Sequence, residues 1–327
     1  IILIEHKLDA LMQLIDRVVV LGFQGAILAD GPPRTVFDAH AAALEAHGVW
    51  MPQVCRLAHR LRARGLPLEP FPVTLDEAEG ALRAAADVSV RAGDSDRPTA
   101  TASGPAPRLA IEVRELSFSY GAGEALSAVS LQVPAGEFLA LVGANGAGKS
   151  TLAQQLVGVL QAPRGQVFVQ GEDVSRIPAR ELARRVGYVF QNPEHQFVAD
   201  SVQDEVAYGL RVLGLPEPEV AARSEALLAR FGLARYARAN PFTLSHGEKR
   251  RLSVATMLAM GQELLILDEP TFGQDQRNAE ELLALLRELH AEGRTMVVVS
   301  HDMALVAEHA TSVAVMSGGR LLFHGPT

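Results

Sequence analysis

The 327-residue chain is long enough for two domains or one large one, and 48% hydrophobic with 21% charged residues suits a globular protein with a sizeable core. A formal net charge of −8 argues against a surface built for nucleic-acid backbones, and no run reaches the roughly 18 apolar residues of a membrane helix. The first residues lack the basic stretch and cleavage site of a signal peptide, so a membrane role is expected to run through a partner; the single cysteine, Cys55, points to a reducing compartment and a small buried side chain.

The chain opens with IILIEHKLDALMQLIDRVVVL, which reads as an apolar strand, a histidine, an amphipathic helix and a second apolar strand. The same order returns in TMVVVSHDMALVAEHATSVAVM near the other end. His6 matches His301, Val18 matches Val313 and Val20 matches Val315 at one constant offset, and DGPP from Asp30 answers the final HGPT after a one-residue gap. An incomplete internal repeat is therefore expected. Residues 51–107 read as a helical pair and a linker. WMPQVCRLAHRLRARG sets Val54, Leu57, Ala58 and Leu61 at helical spacing with Gly65 as a stop, and TLDEAEGALRAAA opens on a capping box from Thr74 to Glu77. RAGDSDRPTATASGPAPR has almost nothing to bury and reads as a flexible linker, with the next domain starting at about Arg108.

From there, LAIEVREL, SLQVPAGEFLALVG and GQVFVQG are short β-rich runs bounded by Gly and Pro, whereas LLILD and TMVVVS are continuously apolar. The first group suggests an antiparallel subdomain and the second buried parallel strands alternating with helices, an α/β nucleotide-binding core with a β appendage. Between FLALV and KSTLAQQLVGVL stands GANGAGKS, Gly143 to Ser150, which fits G-x-x-x-x-G-K-[ST] in the required strand-to-helix context. Its glycines let backbone N–H groups turn toward phosphates, and the helix N-terminus adds a positive dipole end. Lys149 can reach the outer phosphates and Ser150 can hold Mg²⁺. Contacts to the nucleotide are expected from Gly143, Asn145, Gly146, Gly148, Lys149, Ser150 and Thr151.

LLILDEP ends a buried strand on Asp268 and Glu269. Alternation along the backbone should point the two carboxylates apart, which in a phosphate-loop protein makes Asp268 the Mg²⁺ ligand and Glu269 the general base.

Four further stretches follow in an order that resembles the ATP-binding cassette (ABC) ATPases. LSHGEKRRLSVA from Leu244 resembles their signature, VFQNPEHQF their glutamine loop at Gln191, FGQD their D-loop at Asp275, and VVVSHD their switch histidine, His301. Tyr120 in LSFSYGAGEAL stands where the family stacks a ring on adenine. The resemblance covers residues 108–327 and implies a P-loop fold with a parallel-sheet core, an antiparallel β subdomain and a helical signature subdomain. It also implies ATP and Mg²⁺ as ligands, with two cassettes meeting head to tail so that Ser245 and Gly247 of one face the γ-phosphate held by the other. In the family's pattern Gln191 senses Mg²⁺ and the attacking water, His301 holds the γ-phosphate, and Asp275 of the D-loop counts among the nucleotide-binding residues. FQNPEHQF and DEPTFGQD, with a second cassette fused upstream, look most like the energy-coupling-factor importers. That implies integral membrane transport and substrate-binding subunits, a place on the cytoplasmic membrane face, and uptake of a vitamin, metal ion or similar solute.

The chain departs from the usual Leu-Ser-Gly-Gly-Gln at His246 and Glu248, and Gln274 replaces a common Leu before Asp275. Ser245 and Gly247 survive, so His246 reads as a tolerated substitution, with a tuned pH response as the alternative. His195 is placed on no metal, and Arg250 and Arg251 read most simply as a solvated helix face. The competing class is a soluble cassette ATPase of DNA repair or translation. It would call for a coiled-coil or zinc-bearing insertion between Lys149 and Ser245, or a basic linker, and neither is present. Residues 1–50 then read as the end of a first cassette whose phosphate loop and signature lie outside this sequence, with His6 its switch histidine and IILI an exposed strand edge.

Overall fold

The computed structural model describes residues 2–4, 8–9, 11–22, 25–85, 108–121 and 123–327. His6 and residues 86–107, which include nearly all of the expected linker, lie outside the described residues. The chain divides into two units, Ile1–Ser103 with Gly273–Glu280, and Gly104–Phe272 with Glu281–Thr327.

In the first unit, strands β1 (Val18–Leu21) and β2 (Ile27–Gly31) pair antiparallel, followed by helices α1 (Pro33–Ala39), α2 (Ala41–Ala46), α3 (Gln53–Ala63) and α4 (Leu75–Ala85). A two-stranded ribbon has too little apolar face to stand alone. Here Val18, Val20 and Ala29 share one core with Phe37, Leu44, Met51, Cys55, Ala58, Leu68 and Phe71. The expected N-terminal strand is not formed: Ile2, Leu3 and Ile4 lie outside any strand, and all three are exposed. Among the described residues of the expected amphipathic helix, the helical part is one 3₁₀ turn, Met12–Leu14. In α3, Ala58 enters the core with Val54 and Leu61 packed against it, as predicted, while Leu57 is exposed and Cys55 is buried in its stead. At α4 the capping box forms in altered shape. Glu77 N–H donates to Thr74 Oγ1 at 3.3 Å, while the Glu77 carboxylate accepts from the Val73 N–H at 2.8 Å rather than from Thr74.

Burial, aided by the negative charges of Asp9, Glu77 and Asp38, pushes the Cys55 thiol up to about 12, and its Sγ donates to the Pro72 carbonyl at 3.5 Å. At pH 8 about one molecule in 10⁴ carries the thiolate. A thiol reagent is therefore expected to leave the native protein unlabelled for hours and to label it within the mixing time in denaturant; rapid native labelling would contradict this placement.

The second unit begins with a long hairpin, β3 (Leu109–Tyr120) and β4 (Gly123–Pro134), then β5 (Phe138–Gly143), helix α5 (Lys149–Leu156), β6 (Val167–Val169), β7 (Glu172–Asp173), α6 (Ala179–Arg185) and β8 (Val186–Val189). Three helices follow, α7 (Val202–Val212), α8 (Glu217–Arg230) and α9 (His246–Ala259). The chain closes with β9 (Leu264–Asp268), α10 (Gln276–Ala291), β10 (Thr295–Val299), α11 (Met303–His309), β11 (Ser312–Ser317) and β12 (Arg320–Pro326). β4-β3-β6-β7 form an antiparallel sheet, and β12-β11-β5-β10-β9-β8 a second sheet that is parallel except for the β11–β12 hairpin. SLQVPAGEFLALVG thus splits between the two sheets.

The continuous apolar runs have a direct cause. In β9, Leu264 and Ile266 enter the core shared with Ile111, Val113, Leu139 and Leu152, while Leu265 and Leu267 enter a second core with Val206, Leu210, Leu252 and Leu286. In β10, Val297 and Val299 face the first core and Met296 and Val298 the second. Both faces of the parallel sheet are covered, so every position must be apolar, each side chain contributing about 1.5–3 kcal/mol by burial.

The repeat seen in the sequence recurs in strand register. Val18 pairs with Gly31 and the β1–β2 ladder is irregular after Val20; Val313 pairs with Gly325 and the β11–β12 ladder is irregular after Val315.

Candidate nucleotide-binding site

Four neighbouring strands, β5, β10, β9 and β8, run parallel, so their C-terminal ends emerge at one edge of the sheet. Val299 is level with both Leu141 and Asp268, and Val189 is level with Leu267. The residues just beyond these ends are therefore neighbours: the Gly143–Thr151 segment, His301, the Asp268–Glu269 pair and Gln191. Ligands of open α/β sheets bind outside such an edge.

The phosphate loop owes its shape to two glycines. Gly143 has φ +151°, and a Cβ there would stand 2.2 Å from the Met316 carbonyl oxygen; Gly148, the N-cap of α5, has φ +97° and would meet the Ala125 carbonyl oxygen at 2.7 Å. Only glycine allows these close approaches. Lys149 is buried at 7% exposure, and its Nζ donates to the Gly143 and Ala144 carbonyls at 2.7 and 3.0 Å, which holds the ammonium inside the curl of the loop. Asn145, Gly146 and Ser150 are exposed and Thr151 half-buried. Positive charge, exposed backbone and the start of a helix together make a seat for a polyphosphate.

The two carboxylates face different partners. Asp268 Oδ2 accepts from the Tyr188 hydroxyl at 3.1 Å, while Oδ1 is buried with no hydrogen-bond partner in the described structure. Burial and the Asp268 charge push the Tyr188 hydroxyl well above its ordinary pKa, so it stays a donor. An unpartnered buried carboxylate oxygen is costly unless a cation or its water shell completes it, so the Asp268 donor fits Mg²⁺, with Ser150 as a second hard oxygen ligand. Glu269 sits at φ +46°, an uncommon conformation for a non-glycine residue that stores about 1 kcal/mol or more. Its N–H donates to the Val299 carbonyl at 2.9 Å, and its Oε1 lies 2.9 Å from His301 Nδ1. The left-handed turn thus swings Glu269 toward the β10 end, against a histidine whose side chain is half exposed.

Ser245 caps α9 in a full capping box: Ser245 N–H and Oγ donate to Glu248 Oε2 at 2.9 and 2.8 Å, and Glu248 N–H returns to Ser245 Oγ at 3.4 Å. Glu248, the departure from the family pattern, thereby fixes the helix start, with Gly247 buried within it. His246 Nε2 lies 3.1 Å from the Phe272 carbonyl. Burial and the Arg250 charge hold this imidazole below its ordinary range, which keeps it neutral near pH 7 with Nε2–H as the donor.

Arg250 and Arg251 correct the sequence reading, because neither belongs to a solvated face. Arg251 keeps 11% side-chain exposure and pairs with Glu281 at 3.0 Å. Arg250 is fully buried: its Nη1 donates to the Phe190 carbonyl, and its Nη2 to the Gln191 carbonyl at 2.5 Å and, more weakly, to the Glu269 carbonyl at 3.4 Å. Burial lowers its pKa to about 10 against the opposing pull of Asp268 and Glu269, so it remains charged at pH 7. Sequence reasoning missed both Arg250 and Tyr188 as site residues.

Tyr120 ends β3 on the other sheet, half exposed, its ring edge-on to Phe118 at 5.0 Å between centroids. Asp275 groups with the first unit and caps α10, accepting the Asn278 N–H at 2.8 Å. Gln191 presents an exposed side chain, and His195 lies 3.4 Å from Asn192 Nδ2. No group of three or more metal-ligating His, Cys, Asp or Glu side chains occurs among the described residues.

A family model described as ABC transporter matches residues 126–272. A putative HMP/thiamine import ATP-binding protein, YkoD, of Bacillus subtilis (strain 168) is 37% identical over 324 residues, which cover 99% of this chain and 55% of that protein. A putative ABC transporter ATP-binding protein of Methanosarcina acetivorans is 36% identical over 334 residues, 100% of this chain and 54% of that one. The chain thus spans about half the length of the curated relatives it matches. Among solved structures, cbiO1 from Clostridium perfringens, described as part of the ABC transporter complex cbiONQ, superposes with a TM-score of 0.61 at 34% identity, covering 67% of this chain and 89% of that one. A dimeric cassette described as bound to ADP and Pi, MJ0796, shares the fold at a TM-score of 0.60 and 24% identity, covering 66% of this chain and 98% of that one.

Proposed function

The chain belongs to the ABC transporter family of ATP-binding proteins, and from that premise we propose that it hydrolyses ATP to drive an importer of the energy-coupling-factor type. The observation that carries this reading is the convergence, at one edge of the parallel sheet, of the phosphate loop, the Asp268–Glu269 pair, His301 and Gln191.

In this reading Lys149 and the loop N–H groups bind the β- and γ-phosphates, and Tyr120 stacks on adenine. Asp268, Ser150 and Gln191 would hold Mg²⁺, which when bound would supply positive charge to the phosphate oxygens. Glu269 takes the proton of the attacking water as its oxygen bonds to the γ-phosphorus and the bond to ADP breaks. His301, 2.9 Å from that carboxylate, fixes its orientation and meets the γ-phosphate. Ser245, Gly247 and Asp275 serve the facing cassette, a second ATP-binding domain arranged head to tail.

Residues 1–50 are proposed to be the end of a first cassette, 51–107 a helical pair and linker, and 108–327 a second cassette. The shared register and shared ladder irregularity of β1–β2 and β11–β12 support the first assignment. No helix among the described residues is long and apolar enough to cross a membrane. Transport is proposed to run through separate membrane subunits, with this chain at their cytoplasmic face. The HMP/thiamine import named for the Bacillus relative favours a vitamin or similar small solute as cargo. Co-expression with candidate membrane subunits is the test. A complex that co-purifies and hydrolyses ATP faster than the chain alone is expected; a chain that binds none of them would overturn the transport claim.

A further inference from the structure

We propose that Arg250 is a positioning residue that ties the signature helix to both the glutamine loop and the catalytic turn; this rests on the ATPase reading above. Arg250 is five residues past Ser245 on α9, yet its guanidinium is fully buried and reaches backbone oxygens on two other segments. Nη1 and Nη2 hold the Phe190 and Gln191 carbonyls beyond β8, and Nη2 also touches the Glu269 carbonyl beyond β9. The Glu269 and Gln191 side chains thus depend on backbones that one planar fork clasps together.

A buried guanidinium is costly, and hydrophobic packing alone would favour a leucine or methionine here. What the charge adds is geometry. Two terminal nitrogens in a rigid plane hold three carbonyls on two chain segments at once, which no apolar side chain can do and which the one nitrogen of an ammonium on a flexible stem matches only in part. Glu269 stands in a strained left-handed conformation, and such a conformation persists only where its surroundings over-determine it. The Val299 carbonyl pins Glu269 through its N–H, and Arg250 pins it through its C=O. Any shift of the signature helix must therefore be felt at the base and at Gln191. When the signature of one cassette engages ATP held by its partner, Arg250 carries that event into the helix's own active site.

The test compares Arg250→Met and Arg250→Lys with the unaltered chain in two measurements. Amide hydrogen exchange reads the clasp without any turnover: Arg250→Met is expected to accelerate exchange at residues 190–195 and 269–272, with the β5 and β10 amides as protected as before. Steady-state kinetics reads its consequence. For Arg250→Met, kcat should fall about 100-fold, the effect of roughly 1 Å misplacement, while KM for ATP changes little because the phosphate loop is untouched. Arg250→Lys keeps the charge without the fork and should follow the Met variant in both measurements. Unchanged exchange in the two segments, or full activity in Arg250→Lys, would overturn the proposal. An unaltered chain that binds ATP without hydrolysing it would instead overturn the ATPase reading, and the exchange result would still decide whether the clasp exists.

Discussion

Replacing Glu269 by Gln is expected to lower the rate of phosphate release about 10³-fold while leaving ATP affinity within a few-fold of the parent. The substitution keeps size and shape, so the left-handed turn, the N–H bond to Val299 and the clasp on the carbonyl should all persist. What is lost is the basic oxygen beside His301 Nδ1, since an amide cannot accept the proton of the attacking water. Phosphate binding relies on Lys149 and the loop backbone, which belong to a different strand end, so binding and turnover should separate cleanly. Titration with a fluorescent ATP analogue, run beside a phosphate-release assay, gives both quantities. Equal turnover by the mutant would remove Glu269 as the base, and equal loss of binding would mean that the carboxylate serves the loop instead.

Gly143→Ala should have the larger structural effect. Its Cβ would stand 2.2 Å from the backbone oxygen of Met316, an atom that no rotamer change can move, and its φ of +151° lies where L-residues are strained. Overpacking and backbone strain together predict a loss of about 3 kcal/mol or more, roughly 6–12 °C in thermal midpoint, and a collapse of ATP binding as the loop opens. Gly146→Ala is the matched comparison. Its φ is +79° but nothing lies within 4 Å of the new Cβ, so only strain of about 1 kcal/mol remains. Equal melting points for the two variants would contradict the steric account.

Much of this was legible in the sequence, and the places where it was not have physical causes. The parallel core could be read because strands buried on both faces must be continuously apolar, as LLILD and TMVVVS are. The phosphate loop could be read because its glycines and lysine answer to one local geometry. Arg250 was misread because charge was taken as a sign of solvent. Gly247, Arg250, Val254 and Leu258 share one helical stripe, and the apolar character of the other three was the signal that an arginine among them would be buried too. Tyr188 carried no local mark, since its role exists only through β8 lying beside β9 and bringing its hydroxyl to Asp268. At the N-terminus, the apolar run IILI predicted a strand, but pairing depends on a neighbouring strand that local sequence cannot supply. In the last case, His246 and Glu248 read as departures from the signature, His246 as a tolerated one. Glu248 instead completes the capping box, and neutral His246 donates to the turn at Phe272.

The central claim is that the converging strand ends form a site that turns ATP over, and phosphate release by the unaltered chain tests it most directly. With ATP and Mg²⁺ supplied, release should be saturable in ATP, should stop when Mg²⁺ is chelated, and should rise more steeply than in proportion to protein concentration, as the proposed completion of the site by a facing cassette requires. Release no greater than the protein-free blank at every protein concentration, from a chain that nonetheless binds ATP, would contradict it.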